Sequence, residues 1–188
     1  MKKQMFISLF VVFLLFLISF IFAFFSYENR EKNKKPLLVK YNSSQVIYFT
    51  NKLPISDALG KKIDNKDVES DIYGYVDLLI KNPNYFSVEY DIYLTKNNIR
   101  YNPIKDEYIK FYVTNSKDVP YSGYEKNKIP SYGELLYLSD EPNSRLLYHG
   151  FLNKNSSTSF KIRSWLSDSY VIANNTEEIS VDVKVRIK

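Results

Sequence analysis

Cysteine is absent from the 188 residues, so no disulfide staples the fold and no lipidated cysteine anchors it. A folded domain must then stand on its hydrophobic core alone. Histidine occurs once, as His149 in "LLYHGFL". An H-E-x-x-H zinc helix is thereby excluded, and a Ser-His-Asp triad would have to be built on that single residue. His149 alternates with Tyr148 and Gly150 in a strand-like run, which reads as a surface or edge histidine. The sequence points to no enzyme and calls for no cofactor.

Clustered positive charge on the body is also missing. Six of the 26 Lys/Arg fall within residues 1 to 35 against two of the 21 Asp/Glu, so the remainder is close to neutral despite a pI near 9.1. A phosphate-tracking surface needs basic residues gathered on the folded domain, and a nucleic-acid partner is not expected.

What is present begins with "FISLFVVFLLFLISFIFAFF", residues 6 to 25, an uncharged apolar run. A helix of about 20 residues crosses the ~30 Å hydrocarbon core. The run exceeds the ~7–15 residues of a cleaved signal, and Ala23 is flanked by bulky Phe24 and Phe25. An uncleaved signal anchor over residues 1–27, held in the membrane through residues 6–25, is the expectation. The flanks disagree on orientation. Arg30, Lys32, Lys34 and Lys35 outnumber Lys2 and Lys3, whereas the Lys-Lys start looks like an export signal. With the tyrosine-rich, strand-rich body added, an extracellular C-terminal domain on a single-pass cell-membrane protein is the reading. Residues 28–36 form a charged tether closed by Pro36, and residues 37–188 form the domain.

From there the hydrophobic period is two. In "EISVDVKVRIK", Ile179, Val181, Val183, Val185 and Ile187 face one way and Ser180, Asp182, Lys184 and Arg186 the other. The pattern recurs at 46–50, 73–81, 85–95, 107–114, 145–152 and 159–166. Turn chemistry separates the runs: "KNPN", "KNN", "NSKD", "DEPNS" and "NKNSS". An all-β, antiparallel β-sandwich is predicted behind one N-terminal transmembrane helix. The runs 73–81 and 85–95 read as a hairpin, with Val76, Leu78 and Ile80 sharing a core face with Val88, Tyr90 and Ile92. One helical turn fits "ISDALGKKI", ended by Gly60. Trp165 is out of phase with Phe160, Ile162 and Leu166, which suits a plug on the opposite face or at an edge.

The order "LPISDALGKK", "YGYVDLLIKNPNYFSVEYDIYLT", "TSFKIRSWLSD" and a final alternating strand, with Asn82, Tyr90, Arg163 and Trp165 among its positions, resembles small TasA/camelysin-type surface proteins of Firmicutes. The resemblance implies a jelly-roll-like sandwich and an extracellular, often matrix-forming role. Some members assemble by passing a terminal strand to a neighbour, but an uncleaved anchor here would hold each copy in place. Residues 37–50 either complete their own sandwich or lend a strand.

Two patterns invite a site. Asp67, Glu69 and Asp71 place carboxylates at alternate positions, suited to calcium, but lack the glycine and glutamate of an EF-hand loop; a solvated loop is the alternative. Tyrosine is abundant, 17 residues, and alternation sets Tyr73, Tyr75, Tyr93 and Tyr108 on outward faces, where they would offer a partner surface. Tyrosine also simply favours strands. The expected function is a non-enzymatic, membrane-tethered surface protein for adhesion, envelope structure or assembly through self-association or an envelope partner. The alternatives are a glycan- or peptide-binding module using exposed tyrosines and, further off, a strand-exchanging fibre subunit.

Overall fold

A computed structural model describes residues 2–32, 34–49, 53–64, 74–98, 104–125, 128–172 and 179–188. It divides into two units, Met1–Lys35 and Pro36–Lys188. The first is a single helix, α1 (Lys2–Lys32). Its stretch Leu9–Arg30 has a mean hydropathy of 2.9 and no buried share, so one helix is long and apolar enough to cross a membrane. The helix runs through the first half of the segment expected as tether. Glu28 pairs with Lys32 one turn on, and Arg30 and Lys32 complement the negative end of the helix dipole.

The second unit is all β. Its strands are β1 (Leu38–Tyr41), β2 (Val46–Tyr48), β3 (Gly74–Lys81), β4 (Val88–Asn98), β5 (Ile109–Thr114), β6 (Leu136–Tyr137), β7 (Ser144–Leu152), β8 (Ser157–Leu166) and β9 (Ile179–Ile187). They form a four-stranded sheet, β1-β3-β8-β5, and a five-stranded sheet, β2-β9-β4-β7-β6, with every pairing antiparallel. From β1 to β6 and from β7 to β9 each successive strand changes sheet. That crossing pattern is the jelly-roll arrangement of a β-sandwich. The short N-terminal strands close one side of both sheets, β1 on β3 and β2 on β9, so residues 38–48 complete their own sandwich.

Between the sheets lie the residues that alternation pointed inward. Val76, Leu78 and Ile80 meet Val88, Tyr90, Ile92 and Leu94, with Phe160, Ile162, Val181 and Val183 beside them, all buried in one cluster. The expected hairpin of β3 and β4 is not formed. The two strands share the core but belong to different sheets, and the loop between them is a corner.

Asn82 explains the corner. Its side chain is fully buried, and its Nδ2 donates to the carbonyls of Phe86 (2.8 Å), Leu152 (3.1 Å) and Asn153 (3.0 Å). Its Oδ1 accepts from the Asn84 backbone N–H at 3.0 Å. Leu152 and Asn153 belong to the other inter-sheet corner, between β7 and β8. Backbone bonds from Asn82 N–H to Ser156 and from Asn155 N–H to Asn84 tie the same two corners. One amide thus satisfies carbonyls from both corners. Left-handed backbone occurs at Asp118, Asn143 and Asn155, each in a turn that the Asn/Asp chemistry marked out.

A third layer covers the outer face of the four-stranded sheet. Residues 53–64 run across it, with one helical turn, α2 (Asp57–Gly60), at their centre. Gly60 lies against the Trp165 indole, where an added Cβ would come within 2.2 Å of the ring. The turn continues past Gly60 into a right-handed Lys61, so this glycine serves close approach rather than helix termination. Trp165 is buried there, out of phase with the core as its position in the strand required, and its Nε1 donates to Asp57 at 3.2 Å. Arg163 beside it donates through Nε to the Ile63 carbonyl (2.6 Å) and through Nη1 to Thr114 Oγ1 (2.8 Å), and its Nη2 pairs with Asp118.

Replacing Asn82 by alanine is expected to cost about 3 kcal/mol or more, because buried carbonyls lose their donor at about 1–3 kcal/mol each. Ser87→Ala, which removes one exposed hydroxyl from the same corner, is expected to stay within about 0.5 kcal/mol. Chemical denaturation of the two variants side by side measures the difference, and equal stabilities would show that the corners are held by something else.

Candidate functional site

The polar face of β4, alternate to its core face, carries Glu89, Asp91 and Tyr93. On the neighbouring strands Asp91 stands opposite His149 of β7 and Arg186 of β9. Register therefore converges one acid and two nitrogen bases on the middle of the five-stranded sheet. Asp91 is 0% exposed although it lies on an outer face. His149 Nδ1 is 2.8 Å from Asp91 Oδ1, Arg186 Nε donates to Oδ2 at 3.2 Å, and Lys188 Nζ lies 3.6 Å from Oδ2. The second nitrogen of His149, Nε2, is 3.0 Å from Glu89. Arg186 extends its other arm to Asp140 at 2.6 Å and lays its guanidinium over the Tyr93 ring at 5.5 Å. That contact holds the Asp140 carboxyl below its ordinary range and raises the guanidinium further.

What this cluster can do is limited by occupancy. An imidazole acts as general base when one nitrogen is oriented by a carboxylate and the other faces a nucleophile. Here both nitrogens face carboxylates, and in the imidazolium form both donate. Among the described residues no group of three or more His, Asp or Glu side chains could hold a metal ion.

Beside the cluster a groove of about 590 Å³ follows the free side of β7. β6 pairs only with Arg145 and Leu146, so Leu147–Leu152 has β4 as its one strand partner among the described residues. Ile129, Leu135, Leu136 and Leu146 give the groove apolar walls, and Lys128 and Glu134 give it charge. Glu134 is fixed by a capping box: it accepts from the Ser131 N–H at 2.7 Å and from the Ser131 hydroxyl, and these bonds lower its carboxyl from the usual value. Tyr124 donates to the Leu147 carbonyl at 2.8 Å, which fills part of the strand edge.

Of the tyrosines expected as a partner surface, Tyr75 and Tyr93 are buried. Tyr73 lies outside the described residues, as do Asp67, Glu69 and Asp71. Tyr75 is 5% exposed and Tyr93 8%, on the outer faces of different sheets. Tyr75 packs beside Arg163 in the layer under residues 53–64, and Tyr93 lies under Arg186. Alternation set both outward correctly; long cationic side chains and a crossing segment then covered them. Tyr108 is half buried, its ring 5.3 Å from that of Tyr170. Other tyrosines seal the sandwich. Tyr121, Tyr148, Tyr90 and Phe160 form a ring cluster, Tyr121 and Phe160 stacked at 4.4 Å. Gly150 makes room for the Tyr148 ring, which an added Cβ would meet at 2.7 Å.

Sequence reasoning left Asp91 unnoticed. Its only local signal is its place among polar alternates; its partners come from strands 58 and 95 residues away. No protein-family model, curated protein or solved structure matches this chain.

Removing Asp91 leaves Arg186 and His149 facing a buried gap, and Asp91→Ala is expected to cost about 2–4 kcal/mol. Glu89→Ala, at the exposed end of the same histidine, should cost below about 1 kcal/mol. Urea unfolding of both variants tests the ranking, and similar losses would dissolve the distinction.

Burial raises the phenols of Tyr41, Tyr75 and Tyr132 from 10.0 to about 12, and those of Tyr90 and Tyr124 further. A phenol with a raised folded value stabilises the fold while neutral. That contribution is complete below the unfolded value of 10.0 and is lost as pH rises toward about 12. Phenolate absorbance from these rings should therefore appear together with loss of the far-ultraviolet β signal in an alkaline titration. A fully ionised protein that keeps its β signal would contradict their burial.

Proposed function

We propose that this chain is a membrane-tethered cell-surface protein whose sandwich lies outside the cell and serves adhesion, envelope structure or assembly. The observation that carries the reading is the direct joining of an apolar, unburied helix, Leu9–Arg30, to a sandwich with its own core. A tether of this kind keeps a small domain at the membrane surface whatever it touches. The TasA/camelysin resemblance belongs to the same reading. The positions quoted for it, Asn82, Tyr90, Arg163 and Trp165, are all buried. A role without catalysis is supported by His149, whose two nitrogens are both engaged by carboxylates. Strand exchange between copies is the weaker variant, since β1 and β2 already pair within the chain.

A second reading, a glycan- or peptide-binding module, is favoured by one feature: the groove of about 590 Å³ beside the length of β7 that has one strand partner among the described residues. An extended peptide can add to such an edge through backbone bonds while its side chains enter apolar pockets. In this form the binding surface is the groove, not the tyrosines.

Protease added to intact cells is expected to remove residues 36–188 and spare the anchor. Immunoblotting with separate tags at the two ends reads the result. Protection of the domain until the membrane is permeabilised would place it on the cytoplasmic side.

A further inference from the structure

The sandwich has two ends, and strand register says which side chains gather at each. Leu38 opposes Lys81, and Lys81 opposes Ser157, so the point where the chain enters the domain lies level with the β3–β4 and β7–β8 corners. The last residues of β9 reach the same end: Ile187 opposes Tyr90, and the Lys188 N–H donates to Glu89. The corners read "NPNYFS" and "NKNS", with one lysine and no acid.

Two kinds of side chain stand out there. Tyr85 is 79% exposed, Phe151 72% and Leu38 56%, none of them used by the core. Lys81, Lys154 and Lys188 are exposed around them, and Lys34, Lys35 and Lys40 flank the entry point. Away from this end, Leu53 and Leu59 on the outer-face segment and Val171 after β8 are also exposed apolar groups, but the same stretches carry the exposed acids Asp57, Asp64 and Asp168. Glu89, opposite Phe151, is the acid beside the rings, and its carboxylate faces His149. Exposed rings amid lysines are the composition of a surface that enters the headgroup region of a bilayer.

Chain length supplies the occupant. Only residues 33–37 separate α1 from β1. A link of five residues spans at most about 18 Å when fully extended. We propose that the end of the sandwich bearing Leu38, Tyr85 and Phe151 docks on an anionic lipid bilayer, the rings among the acyl-chain ends and the lysines on the headgroups. The proposal rests on α1 spanning that bilayer.

Because the chain has no cysteine, single cysteines report without interference. The full chain, with a nitroxide at Tyr85→Cys, Phe151→Cys, Leu59→Cys or Val171→Cys, is reconstituted into phosphatidylcholine vesicles with or without phosphatidylglycerol. Labels at 85 and 151 should show a several-fold rise in accessibility to oxygen over a water-soluble nickel chelate when phosphatidylglycerol is present. Labels at 59 and 171 should stay in water. A triple variant of surface lysines, Lys40→Gln, Lys81→Gln and Lys154→Gln, should lose the dependence on phosphatidylglycerol. Four equally water-exposed labels on a chain that resists alkaline extraction would overturn the docking and leave the anchor standing. Equal lipid contact at 171 would overturn the choice of end. A chain stripped from the vesicles by alkali would overturn the anchoring beneath both.

Discussion

Everything in the β domain hangs on two corners being fastened to each other. A jelly roll moves its chain from one sheet to the other at each crossing, and every crossing strands backbone carbonyls that neither ladder can pair. The Asn82 carboxamide meets that demand at the place where two crossings come side by side, donating to both loops from one buried side chain. The spacing between the sheets near Tyr90 and Phe160, and with it the seating of the aromatic cluster, follows from where those corners are pinned. A single planar amide is well suited to the task, because its donors and its acceptor lie at fixed angles and it carries no charge to bury.

The alternation of apolar and polar residues is the most legible feature of this chain, and it is legible for a physical reason. A strand with one wet face must repeat with period two, so the runs of β3, β4, β7, β8 and β9, and the core faces of β3, β4, β8 and β9, could be read directly. Neighbours could not. Alternation states which way Val76 and Val88 point, yet a hairpin and an inter-sheet corner present the same pattern to either side of "NPN". The difference lies in Asn82, whose burial depends on Leu152 and Asn153, 70 residues and more along the chain.

Tyr75, Tyr93 and Asp91 share another lesson. Each sits on an outer face, where its strand phase put it, and each is buried nonetheless. Outward is a property of one strand; exposure is a property of everything that later crosses or reaches over it. Residues 53–64, Arg163 and Arg186 do the covering, and none is adjacent in sequence to what it covers. The Asp91 cluster was invisible in the sequence for the same reason: an acid, a histidine and an arginine become a site only once β4 is flanked by β7 and β9. The groove along β7 is likewise a product of β6 being two residues long, which no composition rule foretells.

The contact between Gly60 and Trp165 bears on how this protein would be observed. Trp165 is the only indole in the chain, and it lies not between the sheets but under a four-residue helical turn on an outer face. Its emission therefore reports on a local latch. Release of residues 53–64 would wet the ring and redden its spectrum while the two sheets stayed closed. The tyrosines, spread through the sandwich, carry the near-ultraviolet signal of the core itself. The two chromophores divide the domain between them, and a mismatch between their transitions would separate the opening of the cover from the melting of the sheets.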